Sequence, residues 1–221
     1  MIYTLVLTLI FAALDWLAVG KKWHWLEYIA KPATLATLLA GFAMITELKG
    51  IALWFGLGLF LSLAGDVFLM LPREQFIAGL VAFLLAHVAY IVGFNMPLPP
   101  LNLFGLALAV LIGILAARVL RPILAGLAAK GQAKLRLPVL VYGVVISVML
   151  LSALLTLFRL DWSPLAALLA SLGAALFFLS DVILVWNRFV NPIEHGRVMN
   201  IVAYHLGQIM LAAGVILQVT M

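Results

Sequence analysis

The sequence predicts an all-α integral membrane protein with eight transmembrane helices. Of the 221 residues, 67% are hydrophobic and 10% are charged, and the mean hydropathy is +1.27. Apolar runs of about 20 residues, the length that crosses a bilayer, recur along the whole chain. This composition excludes a soluble globular domain. The chain has no cysteine, so disulfide bonds and thiolate chemistry are excluded as well.

The predicted spans follow one another with short connections, so we expect a single polytopic membrane domain over residues 1–221. No basic segment precedes the first run, which therefore reads as a retained span and not as a cleaved signal peptide. The predicted bounds are Ile2–Val19, Glu27–Thr46, Ile51–Leu71, Phe76–Phe94, Leu101–Leu120, Pro138–Phe158, Pro164–Trp186 and Asn200–Val219.

The basic residues predict the orientation of the chain. The even-numbered loops hold Lys49 and Arg159, whereas the odd-numbered loops hold Lys21, Lys22, Arg73, Arg118, Arg121, Lys130, Lys134, Arg136, Arg188 and Arg197. Lysine and arginine concentrate on the cytoplasmic side of membrane proteins. We therefore expect cytoplasmic odd loops, both termini on the non-cytoplasmic side, and a multi-pass protein of the cell membrane, the inner membrane if the source is bacterial.

The net charge of +5 is spread over these loops. It fits membrane orientation and contact with lipid headgroups better than nucleic-acid binding, so no nucleic-acid partner is predicted. The loop Arg118–Arg136 carries five positive charges and no acid. It is either an orientation signal or a surface segment attracted to anionic lipid.

A segment in the first half of the chain is similar to a segment in the second half. Leu63–Met70 aligns without a gap with Phe178–Val185, so that Asp181 falls on Asp66. This similarity predicts two related four-helix halves, with possible repeats over residues 1–95 and 101–221. Ala166, Ala170 and Ala174 recur at the spacing that lets two membrane helices approach closely, which predicts a tight contact along the seventh span.

Asp66 and Asp181 each lie inside an apolar span. A carboxylate at bilayer depth costs roughly 2.5–3.5 kcal/mol on insertion scales, and such a residue faces protein or water. Each aspartate is either a structural hydrogen-bonding group, with Lys31 as a possible partner for Asp66, or part of a functional site. Because an aspartate recurs at the same place in two similar spans, a functional role is favoured over a structural one.

Other polar residues fall at a similar depth when positions are counted from the predicted inner ends of the spans. At about 1.5 Å rise per residue they occupy a slab of about 10–15 Å. They predict one polar site in the inner half of the bundle, formed by Asp66, Asp181, Lys31, His87, Tyr90, Tyr142, Ser180, Tyr204, His205 and Gln208.

Several of these residues also have a structural interpretation. A histidine in an apolar helix can be a satisfied core residue, and a tyrosine can be an interface anchor. Lys31 is close enough to the surface to snorkel, with Glu27 as its partner. We expect Asp15, near the inner end of the first span, to lie at the membrane interface.

Two carboxyl groups close together in a low dielectric do not both ionise cheaply, so we expect the pair to share one proton. Such a pair supplies an acid and a base for the attack of water on an acetal, glycoside, enol ether or peptide. The chemistry alone leaves these substrates open. A cavity rimmed by basic residues favours an amphiphile with an anionic headgroup.

Five motifs resemble the YhhN family of membrane proteins, whose animal members include lysoplasmalogenases. They are Lys31-Pro32, Gly65-Asp66-Val-Phe-Leu69, Ala86-His87-Val-Ala-Tyr90, Phe178-Leu-Ser180-Asp181 and Tyr204-His-Leu-Gly-Gln208. His205 departs from the family pattern, where we expect a second tyrosine.

The resemblance implies hydrolysis of the vinyl ether bond of a lysoplasmalogen to a fatty aldehyde and a glycerophospho-alcohol. Asp66 and Asp181 would be the catalytic residues, and the other eight residues of the predicted site would bind substrate. The partners would be a lysophospholipid substrate and membrane lipids. No cofactor and no metal is predicted, and the oligomeric state is left open.

Three alternatives stay open at this point. The two histidines and two aspartates could bind Zn²⁺ in an intramembrane lipid amidase or esterase, although their spacing matches no recognised zinc signature. Internal repeats and intramembrane acids also suit a proton-coupled small-molecule transporter. A purely structural membrane protein is the third alternative.

Overall fold

The structure is a computed structural model that describes residues 2–71, 75–99 and 103–221, and within these ranges its regular elements are helical. All eight long helices are apolar enough to cross a membrane, which confirms the predicted fold class of a multi-pass membrane protein. The helices are α1 (Ile2–Lys21), α2 (His24–Thr46), α3 (Ile51–Met70), α4 (Phe76–Phe94), α5 (Leu103–Ala129), α6 (Arg136–Leu155), α7 (Pro164–Phe189) and α8 (Gly196–Thr220).

Two contacts at helix ends each join parts of the chain that lie at the same end of the bundle. On the side of the odd loops, Arg197 donates a hydrogen bond to Glu27 at 2.7 Å. On the side of the even loops, Arg159 donates to the backbone carbonyl of Phe94 at 2.7 Å. Arg159 also binds Asp161 there, and this hydrogen bond lowers the pKa of the Asp161 carboxyl group. Which of the two sides faces the cytoplasm stays a prediction.

Helix α5 extends beyond its predicted end at Leu120 and continues to Ala129. Ile123 and Leu127 explain the extension, because both are buried in a hydrophobic cluster with residues of α6 and α7. The predicted basic loop is correspondingly shorter, and Arg118 and Arg121 belong to the helix. Leu101 and Arg73 lie outside the described residues.

Helix ends elsewhere also extend past the hydrophobic runs. Helix α2 begins at His24, α7 ends at Phe189 and α8 begins at Gly196, each three or four residues beyond its predicted bound. Hydropathy marks the membrane-embedded part of a helix, whereas backbone hydrogen bonding continues into the polar ends. The extensions of α7 and α8 carry Arg188 and Arg197, on the odd-loop side.

Helices α7 and α8 approach closely along a seam of small residues, as the sequence predicted. Ala170 and Ala174 are fully buried. A Cβ atom added to Gly173 would lie 2.6 Å from the backbone nitrogen of Leu211, and one added to Gly207 would lie 2.9 Å from the backbone nitrogen of Phe177. The backbones therefore touch where the side chains are hydrogen atoms or methyl groups.

Helix α8 joins the two predicted halves. Besides α7, it packs against α1, α2 and α3. One hydrophobic cluster includes residues of both halves, such as Phe42 and Phe55 from the first and Phe177 and Leu211 from the second. The core is therefore continuous across the boundary between the possible repeats, and their common origin stays a prediction.

The α7–α8 seam predicts the effect of adding one methyl group. Gly173→Ala should lower the free energy of unfolding in detergent by about 1–3 kcal/mol, because the new Cβ must push two backbones apart. Gly20→Ala is the matched control, since its Cβ would make an ordinary 3.9 Å contact with Val198. Equal unfolding midpoints for the two variants would contradict the close packing.

Candidate functional site

Asp66 is bound by side chains from two other helices. Lys31 on α2 places its Nζ 3.1 Å from Oδ1 of Asp66, whose side chain is 1% exposed. Tyr204 on α8 donates a hydrogen bond to Oδ2 at 2.7 Å. Lys31 is therefore the counter-ion of Asp66, and Glu27, its alternative partner, binds Arg197 instead.

Asp181 has a different set of partners. Tyr142 on α6 donates a hydrogen bond to its Oδ2, and Nε2 of His87 on α4 lies 3.8 Å from the same oxygen. The side chain of Asp181 is 12% exposed. The two aspartates thus differ in environment, because Asp66 faces a lysine whereas Asp181 faces a phenol and an imidazole.

The tautomer of His87 follows from its other nitrogen. Nδ1 lies 2.5 Å from the backbone carbonyl oxygen of Phe83, and a carbonyl oxygen only accepts hydrogen bonds. Nδ1 therefore carries the hydrogen, and a neutral imidazole presents the lone pair of Nε2 to Asp181. The neutral imidazole thus presents no N–H to Asp181, and the 3.8 Å between Nε2 and Oδ2 is too long for a direct hydrogen bond.

The partners of the two acids follow one pattern across the bundle. Asp66 is contacted by α2 of its own half and α8 of the other half. Asp181 is contacted by α6, the second helix of its own half, and by α4, the fourth helix of the other half. Between them, Tyr90 on α4 donates a hydrogen bond to Gln208 on α8 at 2.8 Å. The two sets of contacts thus use the same helix positions in each predicted half.

Each carboxyl group is thus bound by partners of its own, and the sharing of one proton between the two stays a prediction. Aromatic rings lie between the two groups of contacts. The ring of Phe177 packs 4.7 Å from His87 and 5.4 Å from Tyr204, measured between ring centroids. These buried rings connect the surroundings of Asp181 to those of Asp66.

Ser180 has a structural partner. The side-chain amide of Asn200 donates to the backbone oxygen of Ser180 at 2.8 Å and to its hydroxyl at 3.2 Å. These bonds tie α7 to α8 one residue before Asp181. A substrate-binding role for Ser180 stays a prediction.

A third acid, Asp15, is buried as well, and its burial was not predicted from the sequence. Asp15 is 0% exposed, so it is enclosed by protein and does not contact lipid headgroups as we expected of an interfacial residue; its depth in the membrane stays a prediction. Nε2 of His205 lies 3.9 Å from Oδ2 of Asp15, and Trp16 donates its indole N–H to Nδ1 of His205 at 3.2 Å. The acid within an otherwise apolar first run was a usable signal, but its position near the helix end mimicked an interfacial residue.

His205 and His87 present opposite tautomers. Because Nδ1 of His205 accepts from Trp16, the hydrogen of a neutral His205 is on Nε2, which faces Asp15. The ring of His205 packs 5.5 Å from that of Tyr204, between centroids. The cluster of Asp15, Trp16 and His205 therefore lies beside the Asp66 site and holds the helix turn that carries Tyr204.

A cavity of about 150 Å³ opens at the odd-loop end of the bundle. We call it the vestibule. It is lined by Val19, Glu27, Lys31, Leu69, Met70, Phe76, Leu184, Arg188, Arg197, Asn200 and Ile201.

The vestibule lies about one helical turn, roughly 5.4 Å, from the buried acids. Leu69 follows Asp66 by three residues on α3, Leu184 follows Asp181 by three on α7, and Ile201 precedes Tyr204 by three on α8. The lining holds three basic side chains and one acid. Both predicted catalytic residues thus lie beneath one basic opening.

The described residues differ from the ligand sets that hold metal ions. Across residues 2–71, 75–99 and 103–221, no group of three or more His, Cys, Asp or Glu side chains is arranged to hold a metal ion. In this structure the oxygens of Asp66 and Asp181, the acids of the zinc alternative, contact lysine, tyrosine and histidine side chains.

The Lys31–Asp66 ion pair predicts an unfolding experiment. Lys31→Met should lower the free energy of unfolding by about 3–5 kcal/mol, because it leaves a buried carboxylate without its counter-ion. Adding Asp66→Asn should recover most of this loss. The control is Lys49→Met, which breaks an exposed pair with Glu47 and should cost at most about 1 kcal/mol. Equal costs for the two lysine variants would contradict the buried pair.

The sequence is similar to one protein-family model and to several known proteins. The family model described as the YhhN family matches residues 26–215. Lysoplasmalogenase TMEM86B of Mus musculus is 30% identical over 198 residues, which cover 89% of this chain and 77% of the relative. Lysoplasmalogenase TMEM86A of Homo sapiens is 33% identical over 159 residues, covering 70% and 62% of the two chains.

Lysoplasmalogenase TMEM86B of Homo sapiens is 29% identical over 153 residues, which cover 68% of this chain and 58% of the relative. The chain thus spans less than two thirds of the human relative and, at 59%, of its counterpart in Sus scrofa. No solved structure matches the chain.

Proposed function

The chain belongs to the YhhN family, and from this premise we propose that it hydrolyses the vinyl ether bond of a lysophospholipid within the membrane. The products are a fatty aldehyde and a glycerophospho-alcohol. The names of the relatives, all lysoplasmalogenases, support the reaction class. The observation that carries the proposal is the pair of buried aspartates with different partners beneath one basic vestibule.

The partners of the two acids assign their roles. Asp66 faces the Lys31 ammonium, and an adjacent cation stabilises the ionised carboxylate. Asp181 faces the lone pair of His87 Nε2 and has no lysine or arginine among its described contacts. Asp181 is therefore the general acid, and Asp66 is the carboxylate that stabilises positive charge and activates water.

The first step protonates carbon. The carboxyl proton of Asp181 passes to the β-carbon of the vinyl ether, the C=C π bond supplies the electron pair, and an oxocarbenium ion forms at the α-carbon. Asp66 stabilises this cation electrostatically. Water then attacks the α-carbon and gives a proton to Asp66, which leaves a neutral hemiacetal.

The second step breaks the carbon–oxygen bond. Asp181, now ionised, takes the hydroxyl proton of the hemiacetal as the aldehyde C=O bond forms. The glycerol oxygen leaves with the bonding electron pair and receives the proton that Asp66 holds. Both aspartates return to their starting protonation states, and one water molecule is consumed in each turnover.

The remaining polar residues position these groups. Tyr142 and His87 orient the carboxyl group of Asp181, and Tyr204 orients that of Asp66. The Tyr90–Gln208 hydrogen bond fixes α4 relative to α8. The basic side chains of the vestibule suit the phosphate of the headgroup, because guanidinium and ammonium groups are strong phosphate donors.

Replacing either acid tests the proposal. Asp66→Asn and Asp181→Asn should each lower aldehyde release at least about 100-fold, because each removes one proton-transfer group. Asp161→Asn is the matched control, since this side chain is 49% exposed on the opposite side of the bundle. Purified variants would be incubated with a panel of lysolipids that includes vinyl ethers, and the products quantified by mass spectrometry. Near wild-type turnover in Asp66→Asn or Asp181→Asn would reject the mechanism.

Isotopic labelling tests the position of protonation. In D₂O the aldehyde, reduced at once to its alcohol, should carry one deuterium on the carbon next to the former carbonyl. Unlabelled aldehyde added to the same mixture controls for exchange. Release of aldehyde without this deuterium would exclude carbon protonation. Loss of activity on treatment with a chelator, restored by added Zn²⁺, would instead favour the metal-dependent alternative.

A further inference from the structure

Asp181 lines a second cavity, which lies on the other side of α7 from the vestibule. This cavity is lined by residues of α5, α6 and α7. Apart from Asp181, Tyr142 and Ser147, its lining is made of apolar residues and one glycine, including Ile146, Phe178 and Val182. A site that accepts the headgroup phosphate would need cationic donors, and this lining has no lysine or arginine.

The cavity adjoins a crevice at the outer surface of the bundle. The crevice has a volume of about 540 Å³ and lies between α5 and α6. Ala116, Leu120 and Ser147 line both spaces. Two other crevice residues, Val144 and Val148, are 51% and 40% exposed on the membrane-facing side of α6. We call the two spaces together the α5–α6 groove.

Helix α5 leaves this groove open because it packs at the edge of the bundle. The buried residues of its described length are Ile112, Ile123 and Leu127, and it contacts α6 and α7. Helix α1, the first helix of the other half, packs against α2 and α8, and its Asp15 is fully buried. The first helix therefore has different neighbours in the two halves.

Asp181 lies at the border between the groove and the vestibule. At about 100° per residue, Leu184 lies about 60° to one side of Asp181 on α7 and Val185 about 40° to the other side. Leu184 lines the vestibule, and Val185 lines the groove. A molecule that reacts at Asp181 can thus have a basic space on one side and an apolar space on the other.

We propose that the α5–α6 groove binds the hydrocarbon chain of the lysophospholipid and admits it sideways from the membrane. This proposal rests on the proposed function and names the substrate part that the groove takes. The chain is attached to the β-carbon that Asp181 protonates, so it must extend from Asp181 into whichever adjoining space is apolar. Apart from Asp181 itself, the groove has one charged side chain in its lining, Arg121 in the outer crevice, whereas the vestibule has four. Most of its other lining residues are apolar, so the groove is the more apolar of the two spaces.

Blocking the groove should produce a loss that depends on chain length. Ala116→Trp places an indole where the inner cavity meets the crevice. For vinyl ether lysophospholipids with chains of about 16 carbons, kcat/KM should fall about tenfold or more through a higher KM, because methylenes lose their apolar contacts. For chains of about six carbons the change should be less than about threefold.

Leu115→Trp is the matched control. Leu115 precedes Ala116 on the same helix, is 44% exposed and lies outside the lining of both spaces. It should leave kcat/KM unchanged for both chain lengths. An equal loss for long and short chains in Ala116→Trp, or no loss at all, would overturn the groove proposal.

A binding measurement separates the groove from the reaction. Because the chain has no cysteine, Ala109→Cys at the crevice and Leu111→Cys outside it can each carry one bimane fluorophore. A lysophospholipid with a saturated ether chain brominated near its end should quench the fluorophore at residue 109 saturably, and unbrominated ether lipid should reverse this. At residue 111 quenching should rise without saturation.

The outcomes distinguish the two proposals. Saturable quenching at residue 109 without aldehyde release from any vinyl ether lipid would keep the groove and reject the proposed reaction. Aldehyde release with unsaturable quenching at both positions would keep the reaction and reject the groove. Because this measurement needs no Ala116→Trp protein, it decides the question even where that variant does not fold.

Discussion

The buried ion pair between Lys31 and Asp66 is the interaction on which the arrangement of the bundle depends. A carboxylate inside a membrane must find its partners within the protein, since hydrocarbon supplies none. Asp66 obtains them from α2 and α8, helices far apart in the chain. The constraint that stabilises one side chain therefore draws together the first and last parts of the fold.

The same constraint acts on Asp181 and Asp15 but is met differently in each case. Asp181 receives a phenol hydrogen bond and faces an imidazole lone pair. Asp15 faces the N–H of His205, which Trp16 holds in that tautomer. Three acids in similar apolar helices thus acquire three environments. In the proposed reaction this difference supplies an ionised group and a protonated one, because two identical carboxyl groups would have no reason to take different roles.

The contacts of the two aspartates repeat between the predicted halves, and the packing of the first helix does not. Each of Asp66 and Asp181 has a partner from the second helix of its own half and one from the fourth helix of the other. The pattern differs at the first helix of each half, since α1 packs against α2 and against α8 of the other half, whereas α5 packs against α6 and α7 of its own half and buries less of its length. The resulting opening faces Asp181, the less buried of these two acids.

Chain-local properties were enough to identify the membrane class, the eight spans and the paired aspartates, because hydropathy and charge act over a single helix. Motif resemblance was enough to name the family. The partner of each acid, the burial of Asp15 and the extension of α5 beyond Leu120 required the folded bundle, because these features depend on side chains from other helices. Lys31 illustrates the division. Its depth in α2 predicted two possible partners, Glu27 and Asp66, and the packing of α3 and α8 against α2 selected Asp66.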